Sequence, residues 1–348
     1  MKPQVVLSGV AKSYGETPAV ADLSLEVGDG EVFCLLGPSG CGKSTTLRLI
    51  AGLEAPDAGS IEIGGTPVAG GGTWLPPEER KVGIVFQDYA LFPHMRVREN
   101  VAFGLRGWSR RDARRRVDEV LELVGLYGME ERYPHELSSG QQQRVAIARA
   151  LAPEPEVLLL DEPFSNLDLD LRRRIRQDIR RILREAGITA IFVTHDQEEA
   201  FYIADRLGVM RRGRLWQVGT PEEVFHTPAT PFVARFVGTA DFLRGVVRDG
   251  RVRTALGEFE VHGEFPEGAE VEVMVRPEYI EIEAEGAAEA VVVERTFLGG
   301  HYLYTLRLLS GERVRCLQHH DVTLEAGTRV RLRLRASHTP VVFPRSTN

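Results

Sequence analysis

Cysteine is scarce in this chain, with only Cys34, Cys41 and Cys316 among 348 residues, far apart and without metal-ligand spacing. Isolated thiols of this kind exclude a disulfide framework or a zinc ribbon and fit a reducing compartment. Long apolar runs are missing too. No stretch approaches the ~20 residues that span a bilayer, and residues 1–10 lack the basic start and apolar core of a secretory signal, so the sequence predicts a cytoplasmic protein. Lysine is nearly absent, four against 39 arginines, and no surplus of positive charge exists. The net charge of −7 divides into −4 over residues 1–240 (29 basic, 33 acidic) and −3 over residues 241–348 (14 basic, 17 acidic). Neither part has the balance of a phosphate-backbone binder. The Arg-rich stretches 110–116, 172–184 and 329–335 read as solvated faces of two helices and one strand.

What the chain does have is glycine, 35 residues, and 43% apolar composition, ample for two or three domains. One stretch organises the rest. An apolar strand, Val32-Phe33-Cys34-Leu35-Leu36, leads into Gly37-Pro38-Ser39-Gly40-Cys41-Gly42-Lys43-Ser44 and then a helical run from Thr45 to Ala51. A polyphosphate needs many converging donors, and a Gly-rich loop opening a helix brings successive backbone N–H groups close to it. Lys43 then reaches the β- and γ-phosphates, and the Ser44 hydroxyl ligates Mg²⁺. Composition alone would produce this pattern about 0.004 times in such a chain.

Before this loop, residues 5–27 show short apolar stretches broken by Gly15 and Pro18, as in an antiparallel region, with Tyr14 between them. Residues 59–65 read as a strand and turn, residues 69–72 as a loose loop, and residues 83–86 as a short strand ending at Gln87. From Ser109 to Val124 the apolar positions recur at helical spacing, and another helix starts near Ser138. The runs 157–160 and 190–193 are continuously apolar, the mark of strands buried on both faces of a parallel sheet, with an Arg-rich helix (171–186) between them. Residues 1–238 are therefore expected to form an α/β domain: a parallel sheet with covering helices, an antiparallel β-region and a helical subdomain. From Phe242 the pattern alternates and is punctuated by Asp249-Gly250, Gly299-Gly300 and Ser310-Gly311. Residues 239–348 are expected to be a separate all-β, barrel-like domain.

Three further constellations bear on the loop. Asp161-Glu162 ends a buried strand, where Asp161 can enter a Mg²⁺ shell; alone, such a pair could equally cap the next helix. Thr194-His195-Asp196 ends the following strand, where a lone His is usually structural. Leu137-Ser138-Ser139-Gly140-Gln141-Gln142-Gln143-Arg144 is polar, Gly-bearing and opens a helix, an arrangement that binds anions or is simply an N-cap.

Together and in this order these motifs resemble ATP-binding cassette ATPases. The resemblance implies that Tyr14 stacks on adenine and that Gly37, Pro38, Ser39, Gly40, Cys41, Gly42, Lys43, Ser44 and Thr45 hold the phosphates. It further implies that Ser44, Gln87 and Asp161 serve Mg²⁺, that Glu162 is the general base, Asp168 the dimer-loop acid and His195 the γ-phosphate sensor. Ser138, Ser139, Gly140 and Gln141 would contact a nucleotide held by the opposite subunit; Ser139 departs from the pattern, which most often has Gly there. The C-terminal part, with Arg276-Pro277-Glu278 and Phe297-Leu298-Gly299, is similar to the OB-like TOBE domain appended to importer ATPases for ferric iron, polyamines, sulfate or sugars, and residues 92–94 and 164–168 look most like ferric-iron uptake. The implied protein is a MgATP-hydrolysing homodimer, peripheral on the cytoplasmic face of the inner membrane. It would drive two transmembrane permease subunits fed by an external solute-binding protein, without nucleic acid. The alternative is a soluble cassette ATPase acting on nucleic acid, with the β-domain as an Arg-striped module.

Overall fold

Alternating apolar residues build a hairpin first: β1 (Pro3–Tyr14) and β2 (Thr17–Gly28) bury Val5, Leu7, Val20, Leu23, Leu25 and Val27 on one face. This is a computed structural model, and it describes residues 2–165, 169–260, 263–283, 288–335 and 340–345. Next come β3 (Val32–Leu36), in which every residue is buried, and α1 (Lys43–Ala51). Strands β4 (Ala58–Ile63), β5 (Thr66–Gly70) and β6 (Thr73–Trp74) join the hairpin in an antiparallel sheet ordered β2-β1-β4-β5-β6. The loop expected at residues 69–72 is partly strand. Ala69 is fully buried and pairs with Ile61 and Trp74, so tertiary burial overrides the Gly-rich composition there.

After β7 (Val82–Val85), the helices α2 (Val97–Ala102), α3 (Arg110–Leu123) and α4 (Ser139–Leu151) form the expected helical segment. The chain then alternates through β8 (Val157–Asp161), α5 (Leu169–Ala186), β9 (Thr189–Thr194), α6 (Gln197–Ile203), β10 (Arg206–Arg211) and β11 (Arg214–Gly219). A six-stranded sheet results, in the order β11-β10-β3-β9-β8-β7, parallel throughout except for the antiparallel edge β11. Both sheets and α1 share one core, in which Phe33, Leu35, Leu47, Ile50, Leu159, Ile191 and Val193 meet the apolar face of the hairpin. In register, Leu36 pairs with Thr194 and Asp161 with Val193, so the carboxyl ends of β3, β9 and β8 lie side by side. That edge is where open parallel sheets bind ligands.

The chain divides into two units at Pro221/Glu222, earlier than the 238/239 boundary expected from the sequence. The intervening residues carry α7 (Pro221–His226) and α8 (Pro231–Phe236), and the described contacts show what holds them to the second unit. Arg276, wholly buried, donates to the carbonyls of Phe225 (2.8 Å) and Thr239 (3.1 Å) and lies 3.8 Å from the centre of the Phe225 ring. Ala234 and Ala240 pack with Met274 and Phe343. The rest is all-β. Strands β12 (Asp241–Arg248), β13 (Arg251–Thr254), β14 (Gly257–Glu260), β15 (Glu270–Val275), β16 (Ile280–Glu283), β17 (Ala288–Phe297), β18 (His301–Leu308), β19 (Arg313–His319), β20 (Arg329–Leu334) and β21 (Val342–Pro344) form two sheets. Their orders are β14-β13-β12-β15-β21 and β16-β20-β17-β18-β19, and a common core runs from Leu243 and Val275 to Tyr304, Leu306 and Leu332.

Candidate nucleotide site

The Gly-rich loop follows β3 directly, and its shape is dictated by close approach. A side chain on Gly42, whose φ is 108°, would put Cβ 2.2 Å from the carbonyl oxygen of Ala19; one on Gly37 would lie 2.5 Å from that of Met210. Only glycine fits either place. Gly42 also caps α1 without any side-chain hydrogen bond, leaving the first-turn N–H groups of the helix open. Lys43 is buried at 5% exposure, and its Nζ donates to the carbonyls of Gly37 (2.7 Å) and Pro38 (3.3 Å). This ammonium is thus held against the loop whose backbone it follows. Cys41 is buried beside it, and burial raises the thiol pKa, so the loop cysteine is a packing group.

One residue further on, Ser44 Oγ donates to Asp161 Oδ1 at 2.8 Å, joining the start of α1 to the end of β8. Burial pushes the Asp161 carboxyl up, the Ser44 hydrogen bond opposes this, and neighbouring Glu162 adds to the rise. An acid with this balance gains from a cation. Glu162 then leaves β8 with φ at 44°, a left-handed conformation uncommon outside glycine, fixed by its N–H donating to Val193 O at 3.2 Å. Its carboxylate lies 3.3 Å from Nδ1 of His195, which follows β9 and is exposed. Ser44, Asp161, Glu162 and His195 therefore form one line that joins the start of α1 to the ends of β8 and β9.

The other sequence-predicted residues are placed around this line or away from it. Tyr14 closes β1, is half exposed, and its hydroxyl contacts Glu54 and Thr45, the latter in α1; removal from water and then Glu54 raise its pKa. Gln87 is exposed in the turn after β7. That turn is braced by Arg149, which donates to the carbonyls of Tyr89 (2.7 Å) and Ala90 (2.6 Å). Ser138 is the N-cap of α4 and forms a reciprocal capping box: Gln141 N donates to Ser138 Oγ (3.4 Å), and Ser138 N to Gln141 Oε1 (3.0 Å). Ser139 follows at the first helical position without positive φ, so a side chain is accommodated where glycine was expected. Gly140 is buried. The side chains of Ser138 and Gln141 bond to each other's backbone, and Gln141 to Met129, but not to the loop at 37–44. Asp168 lies outside the described residues, as do Asn166 and Leu167.

Sequence reasoning passed over three supports of the site. Gln143 is fully buried and donates to the carbonyl of Pro163, tying α4 to the segment after Glu162. At the end of β9, just before His195, Thr194 Oγ1 donates at 2.5 Å to the buried Glu199 carboxylate, whose pKa is raised by burial. Arg149 is the third. The polar third glutamine of the 141–143 run on an otherwise apolar helix face was the only one of these signals visible in the sequence.

The family model described as ABC transporter matches residues 20–165, and that described as TOBE domain matches residues 273–342. Among curated relatives, the Fe(3+) ions import ATP-binding protein FbpC of Agrobacterium fabrum is 48% identical over 314 residues, covering 87% of this chain and 88% of the relative. The spermidine/putrescine import ATP-binding protein PotA of Rubrobacter xylanophilus is 46% identical over 332 residues, covering 91% and 87%. Among solved structures, cbiO1 from Clostridium perfringens, part of the ABC transporter complex cbiONQ, has a TM-score of 0.59 at 31% identity and covers 68% of this chain and 93% of its own. The ATP-binding cassette MJ0796, solved as a post-hydrolysis dimer bound to ADP and Pi, has a TM-score of 0.54 at 34% identity, covering 62% of this chain and 98% of its own.

Proposed function

The chain belongs to the ABC transporter family, as the ATP-hydrolysing subunit of an importer with a C-terminal TOBE domain, and on that premise we propose how its residues divide the work. The observation that carries the reading is the contact line Ser44–Asp161–Glu162–His195 beside the Lys43 loop. Open N–H groups at the start of α1 and the Lys43 ammonium bind the phosphates, while Tyr14 supports the base. Mg²⁺ fits the donors present, because Ser44 Oγ and Asp161 Oδ1 are hard oxygens 2.8 Å apart at the start of a helix and the end of a strand. Bound there with Gln87 nearby, the ion would neutralise charge on the phosphate oxygens.

Glu162 takes the proton of the attacking water, its carboxylate aimed by the left-handed backbone. His195, the neighbour of that carboxylate, orients against the γ-phosphate. Ser138, Ser139, Gly140 and Gln141 close the site of a second copy of this chain, with Asp168 at the dimer contact; their lack of hydrogen bonds to the loop of their own chain supports this, as does a solved relative that is a dimer. The homodimer would be peripheral on the cytoplasmic face of the membrane, on the names of relatives that are import ATP-binding proteins; no helix among the described residues is long and apolar enough to cross a membrane. Two permease subunits would complete it, fed by an external binding protein. For the solute we favour ferric iron, on the names of several relatives; spermidine or putrescine is the second choice, on the names of others.

Glu162→Gln keeps size and hydrogen bonding while removing the base. ATP binding should persist and turnover should fall at least ~10²-fold; near-normal hydrolysis would refute the assignment. Vesicles containing the permease pair, loaded with ATP and offered ferric iron or spermidine with the matching binding protein, decide the solute.

A further inference from the structure

We propose that the second unit carries a binding site for one borderline divalent transition-metal ion of the Zn²⁺ class, built from His319, His320 and Asp321 with His301 beside them. His319 ends β19, His301 begins β18, and the two are cross-strand partners with ring centres 5.8 Å apart at 87°. The next two residues form the turn. One ligand atom from each of His319, His320 and Asp321 lies within 4.8 Å of the others, and all three side chains are exposed. His319 Nδ1 is 2.9 Å from Asp321 Oδ2, and His320 Nε2 is 3.4 Å from Asp321 Oδ1. A tetrahedral ion with bonds of about 2.0 Å sets its ligands about 3.3 Å apart, so these separations already bracket the edge of such a site.

Hydrogen bonding points the same way. Nδ1 of His320 is 3.3 Å from the carbonyl oxygen of Gly300, which can only accept, so Nδ1 carries the hydrogen. With Nδ1 so engaged, Nε2 faces the carboxylate oxygen 3.4 Å away, a gap that either a proton on Nε2 or a metal ion between the two can bridge. A backbone carbonyl holding the far nitrogen of a histidine is the orientation device common at metal centres. The backbone N–H of His320 also donates to Gly300 O, at 3.2 Å, which fixes the turn against the loop that precedes β18. Imidazole with one carboxylate selects borderline ions over the hard Mg²⁺ and Fe³⁺, which prefer oxygen throughout. The site is therefore chemically separate from both the nucleotide's cation and the proposed cargo.

The test is Zn²⁺ titration of the full chain, stripped by chelator and free of nucleotide, followed by calorimetry and by thermal melting. Wild type should take up one Zn²⁺ per chain with a Kd below about 10 μM. His319→Ala, His320→Ala and Asp321→Asn should each weaken that uptake at least ~10-fold, and His301→Ala by a smaller factor. Because these side chains are exposed, the variants should melt like wild type without metal, while added Zn²⁺ raises the melting temperature of wild type more than theirs. Co²⁺ in place of Zn²⁺ should give the intense visible bands of four-coordination in wild type, lost in His320→Ala. Equal Zn²⁺ uptake by wild type and the three variants, or wild-type binding weaker than the stated bound, would overturn the proposal.

Discussion

Two helices in the first unit begin at polar, Gly-bearing turns, and they are finished differently. At the start of α1 the cap is Gly42, which offers no side chain, and the Lys43 ammonium is folded onto the loop. At the start of α4, Ser138 and Gln141 satisfy one another in a capping box. The difference teaches what each is for. A helix end left bare at the partly exposed carboxyl edge of the sheet offers N–H groups that no side chain of its own cap satisfies, which suits α1 to the phosphate binding proposed for it. A self-capped end keeps its shape without ligand, which suits the proposed role of this turn as a surface presented to a nucleotide that another copy holds.

The largest effect expected from disturbing this comparison is at Lys43. Lys43→Ala should weaken ATP binding at least ~10²-fold, since it removes the one ammonium of the loop, with little change in the melting of the nucleotide-free protein. Equilibrium binding of a fluorescent ATP analogue checks this. Gly42→Ala should destabilise the protein itself by about 2–4 kcal/mol, because the new Cβ meets Ala19 O within 2.2 Å at a positive φ. Urea unfolding reads that loss. On the α4 side the cost is smaller: Ser138→Ala should remove about 1 kcal/mol of cap energy and leave ATP binding to the isolated chain unchanged. A drop in monomer affinity would break the contrast between the two helix ends.

The smallest change runs the other way. Asp161 is held above its ordinary value of 3.8, chiefly by burial, so the charged carboxylate costs stability in the nucleotide-free protein at neutral pH. Asp161→Asn should therefore raise the melting temperature while abolishing Mg²⁺-dependent hydrolysis. The gain should shrink as pH falls through the raised pKa, because protonation of the wild-type acid relieves the same cost. A gain that stays constant with pH would exclude this origin.

Much of this contrast was legible in the residue order, because phosphate chemistry fixes spacing: residues 37–44, Asp161-Glu162 and the Ser138 cap all stand where their motifs placed them. The rest depends on partners distant in sequence. Nothing local marks Glu162 for a left-handed backbone, since the constraint is the carbonyl of Val193 on the next strand. Nor did composition reveal that Ala69 is buried in β5 or that Arg276 lies wholly inside the second unit, fastening residues 225 and 239 and so shifting the division of the chain to Pro221. Both are outcomes of tertiary packing overriding local preference.

The central claim is that the bare end and the self-capped end meet across two copies of the chain, so that each site joins Lys43 of one to Gly140 of the other. It is tested most directly by a mixed dimer of Lys43→Ala and Gly140→Asp chains, separately tagged, purified with MgATP in a Glu162→Gln background, and assayed for occluded nucleotide. One site of this dimer carries both lesions and the other carries neither. The account predicts one occluded ATP per mixed dimer and none in either mutant homodimer; equal occlusion in all three would contradict it, because the site would then be built within a single chain.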